Sequence, residues 1–136
     1  APSEMCIRDS DCSPANDIKG KQQLSGQLGE GTLIRIKDGT MILSPRFRDY
    51  LLDLVGQFDI RSQYYISPGG TDGGEIHKAN KGVPTAVIGV CARYIHSTDA
   101  VFDIRDYYDA RELLKQAVSN LTNETILTLQ FQSEEK

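Results

Sequence analysis

The sequence predicts an α/β fold with a mostly parallel sheet, and three observations carry this prediction. An apolar run, Val83–Val90, has the length and continuity of a strand that is buried on both faces. One amphipathic helical stretch begins after Ser44 and another after Asp103. Strands that alternate with helices along a chain are typical of a sheet with helices packed on its faces.

The first part of the chain predicts a loop followed by a strand. Residues 13–31 are rich in Gly, Gln, Ser and Lys, as surface loops are. Residues 31–38 then alternate as a strand does, which places Arg35 on one face together with Leu33 and Lys37.

A helix is predicted to begin after Ser44, because a serine side chain can accept a hydrogen bond from the first helical turn. Pro45 fits that turn, since its missing N–H has no helical partner there. The buried face is predicted to carry Phe47, Leu51, Leu54 and Val55.

The second half of the chain predicts one short strand and two helices. The strand is expected at residues 63–66, before a glycine-rich turn at 68–74. A helix should run from residue 71 or 72 to residue 80 and stop near Gly82. Asp103 should cap a long helix with an apolar stripe of Ile104, Tyr107, Ala110, Leu114 and Ala117. The segment after Leu121 fits a short helix or an edge strand, and the pattern leaves both open.

Length, charge and cysteine content narrow the class of protein. The 136 residues allow one domain or most of one, and the net charge of -4 argues against a nucleic-acid partner. Three cysteines without zinc-finger spacing favour reduced thiols in the cytoplasm. No apolar run approaches the ~18 residues of a membrane span. We therefore expect a soluble, cytoplasmic protein that binds neither nucleic acid nor membranes.

Two polar segments hold the candidate functional residues. His96 follows the apolar run and is expected just beyond a strand's carboxyl end, where open α/β sheets collect ligands and metals. Asp11 supplies a carboxylate that could meet His96 across the fold. Imidazole and carboxylate groups suit Zn, Co or Mn, so the pair predicts part of a metal site. A lone histidine is more often a surface or hydrogen-bonded residue, and a lone aspartate before Ser-Pro is more often a turn residue.

Other candidates are weaker. Cys91 precedes His96 by five positions and invites a thiol-hydrolase interpretation, although side chains so spaced need not face each other. Gly69–Gly74 could present backbone N–H groups to an anion, but it lacks the Lys-Ser/Thr ending of a phosphate loop. His77 is expected to be a structural residue.

Four segments occur in the order of a known family: DCSPAND, GEGTLIR, GGTDGGEIH and GVPTAVIGVCARYIHS. They resemble the C-terminal part of the glutamyl/deblocking aminopeptidases, which are dinuclear-metal peptidases that often assemble as tetrahedral dodecamers. The resemblance implies a three-layer αβα sandwich with a mostly parallel or mixed sheet. Residues 11–136 would form the C-terminal portion of the metallopeptidase catalytic domain, after an unreliable or disordered start at 1–10.

The resemblance also implies roles for residues. Asp11 resembles the family's carboxylate ligand of one metal, and His96 resembles the imidazole ligand of the other. The implied cofactors are two divalent ions, Zn or Co with Mn as a further candidate. Arg35 is the candidate for gripping an acidic first side chain, because its guanidinium fits a carboxylate in a bidentate manner. The segment that resembles a loop lining the site contains Gly70, Thr71 and Asp72.

The remaining machinery of the family is expected upstream of Asp11. It comprises a histidine ligand, a metal-bridging aspartate and a glutamate pair that includes the general base, so no catalytic residue is assigned in this chain. The complete protein is expected to hydrolyse N-terminal residues, preferably Glu or Asp, from peptides and to form a homo-oligomer, a dodecamer. This chain alone is expected to be inactive. The alternative is a non-catalytic remnant or interaction module of the same fold.

Overall fold

The computed structural model describes residues 6–18, 20, 24–79 and 82–130. Within these ranges the strands and helices follow one another as β1 (Cys6–Pro14), β2 (Thr32–Lys37), α1 (Pro45–Gln57), β3 (Ser62–Ile66), α2 (Asp72–Lys78), β4 (Thr85–Arg93), β5 (Val101–Phe102), α3 (Ile104–Ser119) and α4 (Asn123–Gln130).

The strands form one sheet in the order β1-β4-β2-β3, and β5 pairs with the end of β4. β1 runs parallel to β4, and β2 runs parallel to β3. The β2–β4 and β4–β5 pairs are antiparallel. The prediction of an α/β fold with a mostly parallel or mixed sheet is confirmed. Because β1 and β4 are parallel, their carboxyl ends lie at the same edge of the sheet.

The two faces of the sheet are covered differently. One face packs against α1, α3 and α4 through a large apolar cluster that includes Ile34, Leu51 and Leu113. The other face carries a small cluster of Leu33, Tyr65 and Cys91. The predicted alternation along β2 is confirmed, since Leu33 and Ile34 belong to different clusters. Arg35 lies on the side of Leu33, and this sparsely covered face is the one that carries polar side chains.

The strand β4 lies further along the chain than the sequence predicts. It spans Thr85–Arg93 rather than Val83–Val90. The pairing partners explain the shift, because Cys91 lies opposite Ser13 of β1 and Arg93 lies opposite Val101 of β5. An apolar run cannot reveal such partners, which come from distant parts of the sequence. His96 therefore follows the strand by three residues.

The first two predicted helices are present. Ser44 caps α1 by accepting a hydrogen bond from the Phe47 amide at 3.2 Å. The buried residues of α1 are Phe47, Leu51 and Leu54. The second helix ends earlier than predicted, at Lys78, and Gly82 adopts a left-handed φ of 95° just after it. The expected end at residue 80 lies outside the described residues.

The long helix α3 begins as predicted, with Asp103 accepting a hydrogen bond from the Arg105 amide. Its predicted stripe is partly wrong. Ile104 and Tyr107 are 52% and 46% exposed, whereas the buried face consists of Asp106, Ala110, Leu113 and Ala117. The reason is a buried carboxylate, since Asp106 accepts hydrogen bonds from the amides of Gly29 and Gly31 and turns that side of the helix inward.

The two ends of the described chain have regular structure. β1 begins at Cys6, within the segment 1–10 that the sequence predicts as an unreliable start, and residues 1–5 lie outside the described part. The segment after Leu121 forms the helix α4 rather than an edge strand. None of the described helices is long and apolar enough to cross a membrane.

Candidate metal and substrate site

A cavity of about 430 Å³ opens at the edge where β1 and β4 end. Asp11 comes from β1, Arg35 from β2, and His96 from the segment that follows β4. The cavity brings together four of the six residues that the sequence singles out: Asp11, Arg35, Gly70 and His96. The other two, Thr71 and Asp72, lie at the start of α2 and do not line it.

Arg35 is the central residue of this site. Its side chain is 3% exposed and forms ion pairs with Asp11 at 3.3 Å and with Asp38 at 3.2 Å. The same guanidinium donates to the hydroxyl of Ser13 at 2.8 Å and lies 5.7 Å from the ring centroid of Tyr65. Its Nε is buried and has no hydrogen-bond partner among the described residues. The site thus contains a buried cation held between two carboxylates.

Asp38 is a site residue that the sequence does not reveal. Its carboxylate accepts hydrogen bonds from the amide and hydroxyl of Thr40, both at 2.7 Å, and from the Met41 amide at 2.9 Å. Burial opposes ionisation of Asp38, but these bonds and Arg35 outweigh it and lower its pKa. The Asp-Gly pair at this position signals only the end of a strand.

The glycine-rich segment packs closely against the turn that follows β2. A Cβ atom on Gly70 would lie 2.7 Å from the side chain of Thr40, so a larger residue there would require Thr40 to shift. The hydroxyl of Thr71 donates to Asp38 at 3.5 Å, which links the start of α2 to the Arg35 cluster. Asp72 is exposed at the first residue of α2.

His96 is exposed and lies in the segment between β4 and β5. It adopts a left-handed φ of 62°, and Tyr94 adopts a φ of 60°. At the base of this segment, Arg93 forms a bidentate ion pair with Asp17, with both contacts at 2.9 Å. This pair too is missed by sequence reasoning, because its members lie 76 positions apart.

The structure argues against a thiol hydrolase centred on Cys91. The cysteine has no solvent exposure, and burial raises the pKa of its thiol to about 12. A nucleophilic cysteine needs access and a lowered pKa. His77 has the structural role expected of it, since its Nδ1 lies 3.1 Å from the carbonyl oxygen of Val83.

The comparison with known proteins decides the family. Residues 9–113 match the M42 glutamyl aminopeptidase family. The chain belongs to the M42 glutamyl aminopeptidase family. It is 42% identical over 116 residues to the glutamyl aminopeptidase of Lactococcus lactis subsp. cremoris (strain MG1363), which covers 85% of this chain and 32% of that protein.

Solved M42-like structures agree with this assignment. A TET aminopeptidase from the marine sediment archaeon Thaumarchaeota archaeon SCGC AB-539-E09 is similar with a TM-score of 0.83 and 27% identity, over 88% of this chain and 34% of that one. An aminopeptidase from the archaeon Desulfurococcus kamchatkensis gives a TM-score of 0.80 and 31% identity, over 93% and 37%. The chain therefore spans about a third of the length of these relatives.

The donor groups at this cavity fit part of an M42 metal site. Asp11 offers a carboxylate whose side chain is 45% exposed, and His96 offers an exposed imidazole beside the same cavity. Oxygen and imidazole nitrogen suit Zn, Co and Mn. Within the described ranges, no group of three or more His, Cys, Asp or Glu residues lies close enough together to hold a metal ion. Asp11 and His96 thus supply two donor groups of the kinds that such metal ions bind.

Proposed function

We propose that this chain supplies one part of the active site of an M42 aminopeptidase, which removes N-terminal residues from peptides. The observation that carries the proposal is the shared cavity of Asp11, Arg35 and His96 at the carboxyl ends of two parallel strands. Open α/β sheets bind ligands at that edge. The family match over most of the chain supports the reaction class.

Asp11 and His96 are proposed to hold the two divalent metal ions of the complete enzyme. Bound metal would polarise the scissile carbonyl and lower the pKa of a water molecule that attacks it. Asp11 would contribute a carboxylate oxygen, and Arg35 would orient that carboxylate. The general base belongs, in this proposal, to the residues of the relatives that this chain does not span. The identity of the metals, Zn or Co with Mn as a further candidate, stays a prediction.

Arg35 is proposed to favour substrates with an acidic first residue. Two observations support this role: Arg35 is among the residues that line the cavity, and one relative is a glutamyl aminopeptidase. A buried guanidinium attracts a carboxylate more strongly than an exposed one, since little water competes. Gly70, Thr71 and Asp72 are proposed to line the substrate side, and the close packing of Gly70 on Thr40 fixes the path of that segment.

A chimera tests the proposal directly. The 136 residues would replace the matching third of the Lactococcus lactis relative, which supplies the parts that this chain does not span. We expect hydrolysis of glutamyl p-nitroanilide in the presence of Zn²⁺ or Co²⁺. Asp11→Asn and His96→Ala should each lower kcat at least ~100-fold, because a ligand is lost. The control is Asp49→Asn, which removes an exposed ion pair on α1 and should keep full activity.

The same chimera separates the roles of Arg35. Arg35→Ala and Arg35→Lys should lower kcat/KM for glutamyl substrates more than for leucyl substrates, since only the former present a carboxylate. An equal loss on both would contradict selection by Arg35. A chimera that folds and melts cooperatively but shows no turnover would favour the alternative, a non-catalytic remnant or interaction module.

The complete protein is proposed to be a homo-oligomer. One similar structure is a TET aminopeptidase. The expectation of twelve subunits comes from the resemblance of the four sequence segments to the family. Light scattering on the eluted chimera gives its mass, and a monomer would contradict this part of the proposal. The cytoplasmic location also stays a prediction.

A further inference from the structure

The segment that carries His96 is held in an unfavourable backbone conformation. It joins β4 to β5 through residues 94–100, and its ends are fixed because Arg93 pairs with Val101. Within it, Tyr94 and His96 both have left-handed φ values, of 60° and 62°. Such values cost free energy for residues with a Cβ atom and persist only where the surroundings hold them.

Local hydrogen bonds account for only part of this restraint. The hydroxyl oxygen of Ser97 lies 2.5 Å from the carbonyl oxygen of Tyr94 and 3.0 Å from that of Asp99, so its one hydrogen can be donated to either. These bonds shape the turn itself, but all three residues are exposed and lie within the turn. They do not fix the direction in which the turn leaves the sheet.

The base of the segment is fixed by a residue that follows another strand. Asp17 follows β1, and its two carboxylate oxygens accept one hydrogen bond each from Nε and Nη2 of Arg93. The Leu28 amide also donates to Asp17, at 3.2 Å, which ties the pair to the loop before β2. A bidentate pair fixes the orientation of both side chains, which a single contact does not. The hydrogen bond from Arg93 lowers the pKa of Asp17, so the pair stays charged at neutral pH.

We infer that Asp17 is a positioning residue that acts through Arg93 to hold His96 beside the cavity it shares with Asp11. Arg93 is the last residue of β4, three positions before His96, so its side chain sets the exit direction of the chain. The inference rests on the proposed function, in which His96 binds a metal ion. It adds a role for the second aspartate of the Asp11–Asp17 segment, whose side chain is 12% exposed.

Hydrogen exchange on the 136-residue chain tests the restraint without any metal. In Asp17→Asn, exchange of the amides in residues 94–100 should accelerate about tenfold, while exchange in α1 and β3 should stay unchanged. Asp49→Asn is the matched control, because it removes an exposed ion pair on α1, which lies outside the segment of residues 94–100. Arg93→Lys keeps the charge but loses the bidentate geometry and should also accelerate exchange in residues 94–100.

A Zn²⁺ titration of the chimera, which supplies the ligands that this chain does not span, tests whether the restraint serves metal binding; the imidazole signals of His96 report the response. Asp17→Asn should weaken the response about tenfold, and Asp17→Glu, which keeps the carboxylate, should recover part of it. Unchanged exchange at residues 94–100 in Asp17→Asn would overturn the inference, as would equal acceleration throughout the chain. If His96 of the chimera with Asp17 unaltered does not respond to Zn²⁺, the proposed metal role fails, and the exchange data still decide whether Asp17 holds the segment.

Discussion

The buried guanidinium of Arg35 is stable only because carboxylates surround it. Arg35 and Asp38 have side chains that are 3% and 0% exposed, so water screens their attraction little. Removing one partner of such a pair leaves an uncompensated charge in the interior. The side chain of Asp11 is 45% exposed and compensates Arg35 less well. Asp38 therefore carries most of the stabilisation of this cluster.

We predict that Asp38→Asn lowers the free energy of unfolding by about 3 kcal/mol at neutral pH. Urea unfolding of the chain measures it, with Asp49→Asn as the control, for which less than about 1 kcal/mol is expected. The pH dependence has a definite sign. Because folding lowers the pKa of Asp38 below its ordinary value of 3.8, its contribution is present above that value and is lost as the pH falls through the folded pKa. The deficit of the variant should therefore shrink in acid, and a deficit that is constant with pH would contradict this account.

At the scale of elements, the junction before β2 depends on a glycine. Gly31 has a φ of 97°, and a Cβ atom there would lie 2.3 Å from backbone atoms of Arg61. Its amide also donates to the buried carboxylate of Asp106 at 2.9 Å, so the backbone has no freedom to move away. The strand β2 and the helix α3 are thus joined at one residue.

We predict that Gly31→Ala lowers the free energy of unfolding by more than about 2 kcal/mol, because the new methyl group meets backbone rather than a flexible side chain. Gly39→Ala is the matched control, since a Cβ atom at Gly39 would have no neighbour within 4 Å. Thermal melting of both variants measures the difference. Equal melting temperatures would show that the junction relaxes without cost.

The elements could be predicted wherever local sequence determines them. The Ser44 cap, the start of α3 after Asp103 and the alternating strand β2 depend on neighbours within a few residues, and all are confirmed. The buried face of α3 was predicted only in part, at Ala110 and Ala117, because Asp106 is buried by amides that lie 75 and 77 positions away. A prediction from hydrophobic periodicity assigns a charged residue to the exposed face of a helix. Only knowledge of the tertiary partners shows that Asp106 is buried.

At the scale of the whole molecule, the candidate site too contains residues that the sequence predicts and residues that only the structure reveals. His96 was predicted from its position beyond a strand end, and the roles of Asp11 and Arg35 from the resemblance of the four segments to the family. The structure places all three at one cavity. Asp17 was missed because its partner Arg93 lies 76 positions away. Asp38 was missed because an Asp-Gly pair signals only the end of a strand in the sequence. The roles of Asp11, Arg35 and His96 as ligands or substrate contacts stay predictions, whereas the proximity of these three residues is a feature of the fold.

The sheet also has an open side. In the part of the chain that the structure describes, β1 pairs with β4 alone, and its other edge has no neighbouring strand. Beside it lies a mostly apolar cavity of about 360 Å³ between β1 and α3, lined by residues that include Ser10, Val90 and Tyr107. Unpaired strand edges next to apolar surface promote association between copies of a chain.

We predict that the 136-residue chain self-associates and that Ser10→Lys reduces this association. A lysine on an edge strand would place a charge in the apolar cavity whenever a second strand docks there, which costs free energy. Ser119→Lys is the matched control, because Ser119 is the exposed last residue of α3. Sedimentation velocity over a concentration series measures the mass of each variant. If Ser10→Lys and Ser119→Lys associate to the same extent, β1 is not the contact edge, and the exposed aromatic residues of α3, Tyr107 and Tyr108, become the next surface to alter.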